Sequence, residues 1–267
     1  MSVAPDVATE QEARLVELFR QLTAILIASV LTGILVGGLG ARAFMLVTRL
    51  LAPERRGFIT EAQARVGEVT IAGSFFLIVF VGVIAAMAIG VMLAVSDPWI
   101  TWAGPFSGLV VGILLLTTFN ALILDPGNFD FALLGDQAVT VGMIAFLFVV
   151  GGTAAVWLRD RVLDRLPHYD DLGGGGFGYI PGAALGAMGV SLLLTVISIP
   201  SNRADGSLPT IISFVALIGI TLIDRGWWIR TGNPSPLGVR VLGYSALAVL
   251  FTLGGVQLVS AIDRIVV

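Results

Sequence analysis

No lysine and no cysteine occur among the 267 residues, and histidine occurs once, as His168. Each absence removes a class of chemistry. Without cysteine there is no disulfide, no thiolate nucleophile and no thiolate metal ligand. Without lysine there is no Schiff base, which excludes a retinal pigment despite the count of apolar segments described below. A single histidine cannot supply bis-histidine haem ligation within one chain or an H-E-x-x-H zinc helix. His168 lies between Pro167 and Tyr169 in a polar stretch, so it is also misplaced for an intramembrane Ser–His pair. No cofactor and no metal site follow from the remaining residue types.

Charge is scarce as well. Charged residues make up 12% of the chain, about half of what a soluble domain carries. The net charge of −3 is too small to imply nucleic acid as a partner. All 15 basic residues are arginine, a bias most simply ascribed to a GC-rich bacterial genome. Two motifs fail on context. Gly173, Gly175 and Gly178 spell G-x-G-x-x-G, but no strand precedes them, and they read as a hinge. Asp136 and Asp170 fall on opposite sides of the membrane in the topology below, which excludes a paired-aspartate protease.

What is present is apolar length. Residues 21–41, 69–96, 98–124, 137–158, 172–202, 206–223 and 241–262 contain no Asp, Glu, Lys or Arg. A helix needs about 20 mostly apolar residues to cross a bilayer core. The chain therefore reads as all-α, a polytopic integral membrane protein with a bundle of seven transmembrane helices. Residues 1–20 form an amphipathic N-terminal segment, and 21–267 a single transmembrane domain. Thr9 and Glu12 give the segment a T-x-x-E capping pattern, and it is expected to extend the first span. The polar stretches 1–20, 52–68 and 159–171 are too short for a soluble domain.

Alternation puts the N-terminus and the loops after spans 2, 4 and 6 on one end of the bundle, end A. The other loops and the C-terminus are on end B. Arginine favours end A by eight to seven, which points to a cytoplasmic N-terminus in a bacterial plasma membrane. Trp99, Trp102, Trp157, Trp227 and Trp228 all fall near span ends on end A, the depth that indole rings favour. Gly33-x-x-x-Gly37, Gly108-x-x-x-Gly112 and Gly182-x-x-x-Gly186 predict close helix contacts. Span 1 loosely echoes span 5, but Gly/Ala similarity is weak support for a repeat.

Two groups of residues are candidates for a site. On end B, Arg42 and Arg49 share one helix face. Arg20 and Arg42 are separated by about 33 Å of ideal helix, one bilayer core. Glu68, Asp125, Asp130 and Asp136 emerge on the same end, with Asn120 beneath, and could bind an ion or gate entry. The competing reading is structural: ion pairs between loops, or arginines reaching the headgroups. An angle of roughly 150° between Arg42 and the Gly33/Gly37/Gly40 stripe supports it. Secondly, Thr117, Ser191, Thr195 and Ser198 lie on hydroxyl-bearing faces that could line a path for a small polar solute or bond neighbouring backbones. The Arg–Asp pairs 159–161, 164–165, 224–225 and 263–264 read as anchors at span ends.

Two functions fit. One is a permeation or transport component for a small solute or ion that works without deep titratable groups. The other is a non-catalytic accessory subunit of a membrane complex. Partners are the lipid bilayer and either other membrane subunits or further copies of this chain. No nucleophile, metal set or acid–base pair marks an enzyme.

Overall fold

In the computed structural model, residues 7–51, 53, 57–58, 70–124, 136–167, 186–187, 189 and 207–266 are described. Among them the secondary structure is helical throughout. Helix α1 spans Val7–Thr32, runs into a π-helical turn at Gly33–Gly38 and continues as α2, Leu39–Leu51. Helix α3 covers Ile71–Ser96. Two 3₁₀ segments, Asp97–Trp99 and Thr101–Phe106, lead into α4, Ser107–Ile123. Then follow α5 (Gln137–Leu163), α6 (Ser207–Thr231) and α7 (Leu237–Val266).

Six of these rods are long and apolar enough to cross a membrane: Glu10–Leu51, Ile71–Trp99, Thr101–Asn120, Gln137–Leu163, Leu208–Thr231 and Leu237–Val266. The expected fifth span, 172–202, lies almost wholly outside the described residues. Of it, Gly186, Ala187 and Gly189 are described, and they are helical.

Local chemistry sets the helix ends. Thr70 caps α3 by accepting from Gly73 N–H at 3.1 Å, and Asp136 caps α5 by accepting from Val139 N–H at 3.1 Å. At Asp97 the chain passes from α3 into a 3₁₀ segment, where Pro98 has no N–H to continue the α-helical ladder. Gly104, at φ 50° and ψ −122°, makes the corner before α4 in a conformation open only to glycine. Helix α1 is already formed at Val7, ahead of Thr9. Thr9 is therefore inside the helix, and the expected capping pattern does not mark its start.

The outward faces are apolar. Ile71, Phe75 and Leu50 are among the most exposed large side chains, an arrangement stable in lipid and unstable in water. Inside, backbones approach closely where glycine permits. A Cβ on Gly108 would lie 2.8 Å from Thr153 Cα, and one on Gly112 would lie 2.7 Å from Val149 Cα. This locks α4 onto α5, as the Gly108-x-x-x-Gly112 pattern predicts. Gly33 and Gly37 pack on Gly82, Ala85 and Ala86 of α3.

The π turn changes the face arithmetic. Its wider i→i+5 turn winds less per residue than an α-helix. Gly33, Gly37 and Gly38 face α3, but Gly40 faces Leu147 of α5. The stripe does not stay on one side of a regular helix, so the 150° separation of Arg42 from it does not hold. Beyond the turn, Phe44 and Thr48 are the buried edge of α2.

Two apolar clusters fill the bundle. One joins Ile25, Met92, Leu93, Trp99, Leu114, Leu217 and Leu250. The other, at end B, joins Phe44, Leu116, Leu124, Val141, Ile144, Ala261 and Ile265. End A collects the start of α1, the α3–α4 corner, the ends of α5 and α6, and the start of α7. Arg20 donates to Leu163 O at 2.9 Å, and Arg14 lies against Ile229 O and Gly232.

Candidate functional site

Asp97 is the only charged residue between Glu68 and Asp125, and the structure puts it at the centre of end A. It sits on the α3–α4 corner. One carboxylate oxygen accepts from Arg159 Nη1 of α5, and the other accepts from Arg225 Nη2 of α6 at 3.2 Å. Arg225 Nη1 also donates to Gln21 Oε1 of α1 at 3.3 Å. Arg159 Nε donates to Asp160 at 2.9 Å. The carboxylate thus ties the α3–α4 corner to α5 and α6, and Arg225 extends the link to Gln21 of α1. The side chains are 26% (Asp97), 17% (Arg159) and 21% (Arg225) exposed, so the pairs are neither fully screened nor fully buried.

These residues line a cleft of about 260 Å³, together with Pro98, Thr101, Asp160, Leu163 and Ile25. Its apolar wall, Ile25, is 1% exposed and belongs to the packed cluster below. Beside it, Trp99 turns inward. It is 2% exposed, donates Nε1–H to Thr221 Oγ1 at 2.8 Å and meets Tyr244 edge-on at 5.7 Å. Thr221 in turn donates to Val95 O at 2.9 Å. Trp99 therefore joins α3 to α6 and does not face lipid, unlike Trp102, Trp157 and Trp227, which are exposed. The cleft's two acids are both engaged by arginine. Among the described residues there is no group of three or more His, Cys, Asp or Glu that could hold a metal.

The end-B candidates are only partly described. Glu68, Asp125, Asp130, Ser191, Thr195 and Ser198 lie outside the described residues, as does His168. Arg42 and Arg49 are half-buried on α2, and among the described residues neither forms an ion pair. Arg42 Nη2 is buried with no hydrogen-bond partner. Asp136 is exposed and serves as the N-cap of α5.

Thr117 and Asn120 are 3% and 2% exposed on α4. Thr117 donates to Leu114 O at 3.2 Å, and Asn120 Nδ2 donates to Thr117 O at 2.6 Å and Gly254 O at 3.5 Å. Gly254 of α7 is seated on the Thr117 backbone, with room for no side chain.

Residue type and spacing did not single out Asp97, Gln21 or the long-range pairing of Arg159 and Arg225. The Asp224–Arg225 pair reads from sequence only as an anchor at a span end, whereas in the structure Arg225 reaches Asp97 and Asp224 accepts from Ser235. The available signal was the isolation of Asp97 within 56 otherwise uncharged residues, 69–124. A lone acid at the bilayer edge needs a cation from elsewhere in the fold.

Fold and site together define the class: a helical protein with the make-up of a multi-pass membrane protein. No protein-family model, curated protein or solved structure matches the chain.

Proposed function

We propose that this chain is a non-conducting, multi-pass accessory subunit of a membrane assembly, and that it crosses the bilayer seven times. The observation that carries the functional reading is the Thr117–Asn120–Gly254 contact. The mid-bundle polar groups that a solute path would need are instead bonded to the backbones of α4 and α7. Thr23, Ser29, Thr48, Ser96 and Thr140 likewise donate to backbone carbonyls on their own helices. The hydroxyls of Thr32, Thr118 and Thr210 are the exceptions. Below the end-A cleft, Met92, Leu93, Leu217 and Leu250 are each 0% exposed, as in a close-packed protein interior.

Connectivity supports the seventh crossing. Helix α5 ends at end A, beside Arg20. Helix α6 also ends at end A, where Arg225 meets Asp97, so α6 starts at end B. The stretch between them begins and finishes on opposite ends, and it contains the charge-free run 172–202. Within that run Gly189 lies 3.6 Å, measured from an ideal Cβ, from the buried Val91 of α3.

A second reading has its own observation. The end-A cleft, closed by Asp97 between two arginines, has the form of an ionic gate. Under that reading the chain is a permeation component, and opening would require the pairs to break. Reconstitution separates the two. An accessory subunit copurifies in fixed stoichiometry with other membrane proteins and adds no flux to liposomes. Solute-selective flux from the purified chain alone overturns the proposal.

A further inference from the structure

The π turn at Gly33–Gly38 holds one residue more than an α-helical path between the same ends. Leu39 N–H bonds to Ile34 O, five residues back, where an α-helix bonds four back. Returning the turn to α geometry advances the residues after it by one step, about 100° and about 1.5 Å. Each residue of α2 then takes the place that its successor holds now.

The packing around the rod accepts that exchange at most positions. Gly33 stays on Gly82 and Ala86, so α1 keeps its contacts and α2 alone turns. Gly38 lies against Ile78, where an added Cβ would be 2.5 Å from Ile78 O. Gly37 replaces it there, and the contact again receives a glycine. Leu39 takes the place of Gly40 on α5. A Leu147 methyl, 2.8 Å from a Cβ at that place, is the movable end of a side chain. The cost falls at Ala85. Val36 swings toward the place of Gly37, where a Cβ would be 2.5 Å from Ala85 Cβ.

On α2 the buried edge changes from Phe44 and Thr48 to Ala43 and Val47, both exposed now. Arg42 and Arg49, half-buried now, take the exposed places of Ala43 and Leu50. One register buries Phe44 with the Thr48 hydroxyl and keeps both arginines partly inside. The other buries Val47 and releases both charges. Gains and losses oppose each other within one helix, the condition for two states of similar free energy. We infer that the α1–α2 rod is a two-register switch: loss of the π turn rotates α2 and turns Arg42 and Arg49 outward at end B.

The chain has no cysteine, so introduced pairs in the full chain in liposomes report the register. Gly40→Cys with Leu147→Cys joins in the present register, and Leu39→Cys with Leu147→Cys in the other. The readout is the initial rate of disulfide formation, which scales with the population of each register. Both pairs are expected to cross-link. Val47→Thr puts a hydroxyl into the buried edge only after rotation and slows the second pair about ten-fold. Ala85→Gly makes room for Val36 and speeds it about ten-fold. Where Gly40→Cys does not fold, Phe44→Cys and Ala43→Cys, each with Ile144→Cys of the end-B cluster, make the same comparison. Cross-linking of the first pair and none of the second, even with Ala85→Gly, overturns the proposal. Cross-linking of both at rates that neither substitution changes also overturns it, since the rod then moves without exchanging register.

Discussion

Replacing Asp97 by Asn tests whether one carboxylate holds end A together. Asparagine keeps the shape and one acceptor oxygen but removes the charge that Arg159 and Arg225 share. Removing one partner from a fully buried pair costs about 3–5 kcal/mol, while exposed pairs contribute about 0–1 kcal/mol. At 26% exposure, with arginines at 17% and 21%, Asp97 stands between these limits. Two cations are left facing each other without a counter-charge. A loss of about 2 kcal/mol follows, roughly thirty-fold in the folded-to-unfolded ratio, or a fall in Tm of about 5 °C. The assay is reversible unfolding in mixed micelles, followed by far-UV circular dichroism. Asp160→Asn is the control: Asp160 is 57% exposed and Arg159 keeps Asp97, so the loss stays below about 0.5 kcal/mol. In a double-mutant cycle, Asp97→Asn and Arg225→Gln show a coupling of about 1 kcal/mol. If Asp97→Asn is no worse than Asp160→Asn, the carboxylate is not the tie described here.

Other outcomes follow from packing and topology. Gly152→Ala places a Cβ on the Gly112 backbone and should lower stability by about 2 kcal/mol; Gly142→Ala, with no atom within 4 Å, should leave the same denaturation midpoint unchanged or slightly raised. Trp99→Phe loses the bond to Thr221 and should cost about 1 kcal/mol, read by the same unfolding assay. The chain's lack of cysteine makes single-cysteine labelling direct. With an impermeant maleimide on oriented vesicles, Pro167→Cys should label from the side opposite to Leu208→Cys, and labelling of both from one side would remove the seventh crossing.

The sequence carried the membrane character because the signal is additive along each helix: twenty apolar residues are legible without knowing any contact. The Gly108-x-x-x-Gly112 contact was legible for the same reason, since small residues at helical spacing act through one local face. The π turn was not. It depends on how Gly33 and Gly38 fit against α3, and it altered every face assignment from Gly40 onward. The Asp97 cluster was equally hidden, because its four members come from α1, α3, α5 and α6 and no local spacing links them. Trp99 shows the same limit: its depth at the span end follows from the sequence, but whether it faces lipid or Thr221 is decided by packing. Thr117 and Asn120 were legible as a polar face, and only the close approach of Gly254 identifies the backbone they meet.

The central claim is that this packed bundle does not conduct. Its most direct measurement is flux through liposomes containing the purified chain, with small neutral solutes followed by light scattering and ions by internal fluorescent indicators. The account predicts rates equal to those of protein-free vesicles for both wild type and Asp97→Asn. Solute-selective flux above that baseline, raised by Asp97→Asn as the ionic gate is removed, would contradict it.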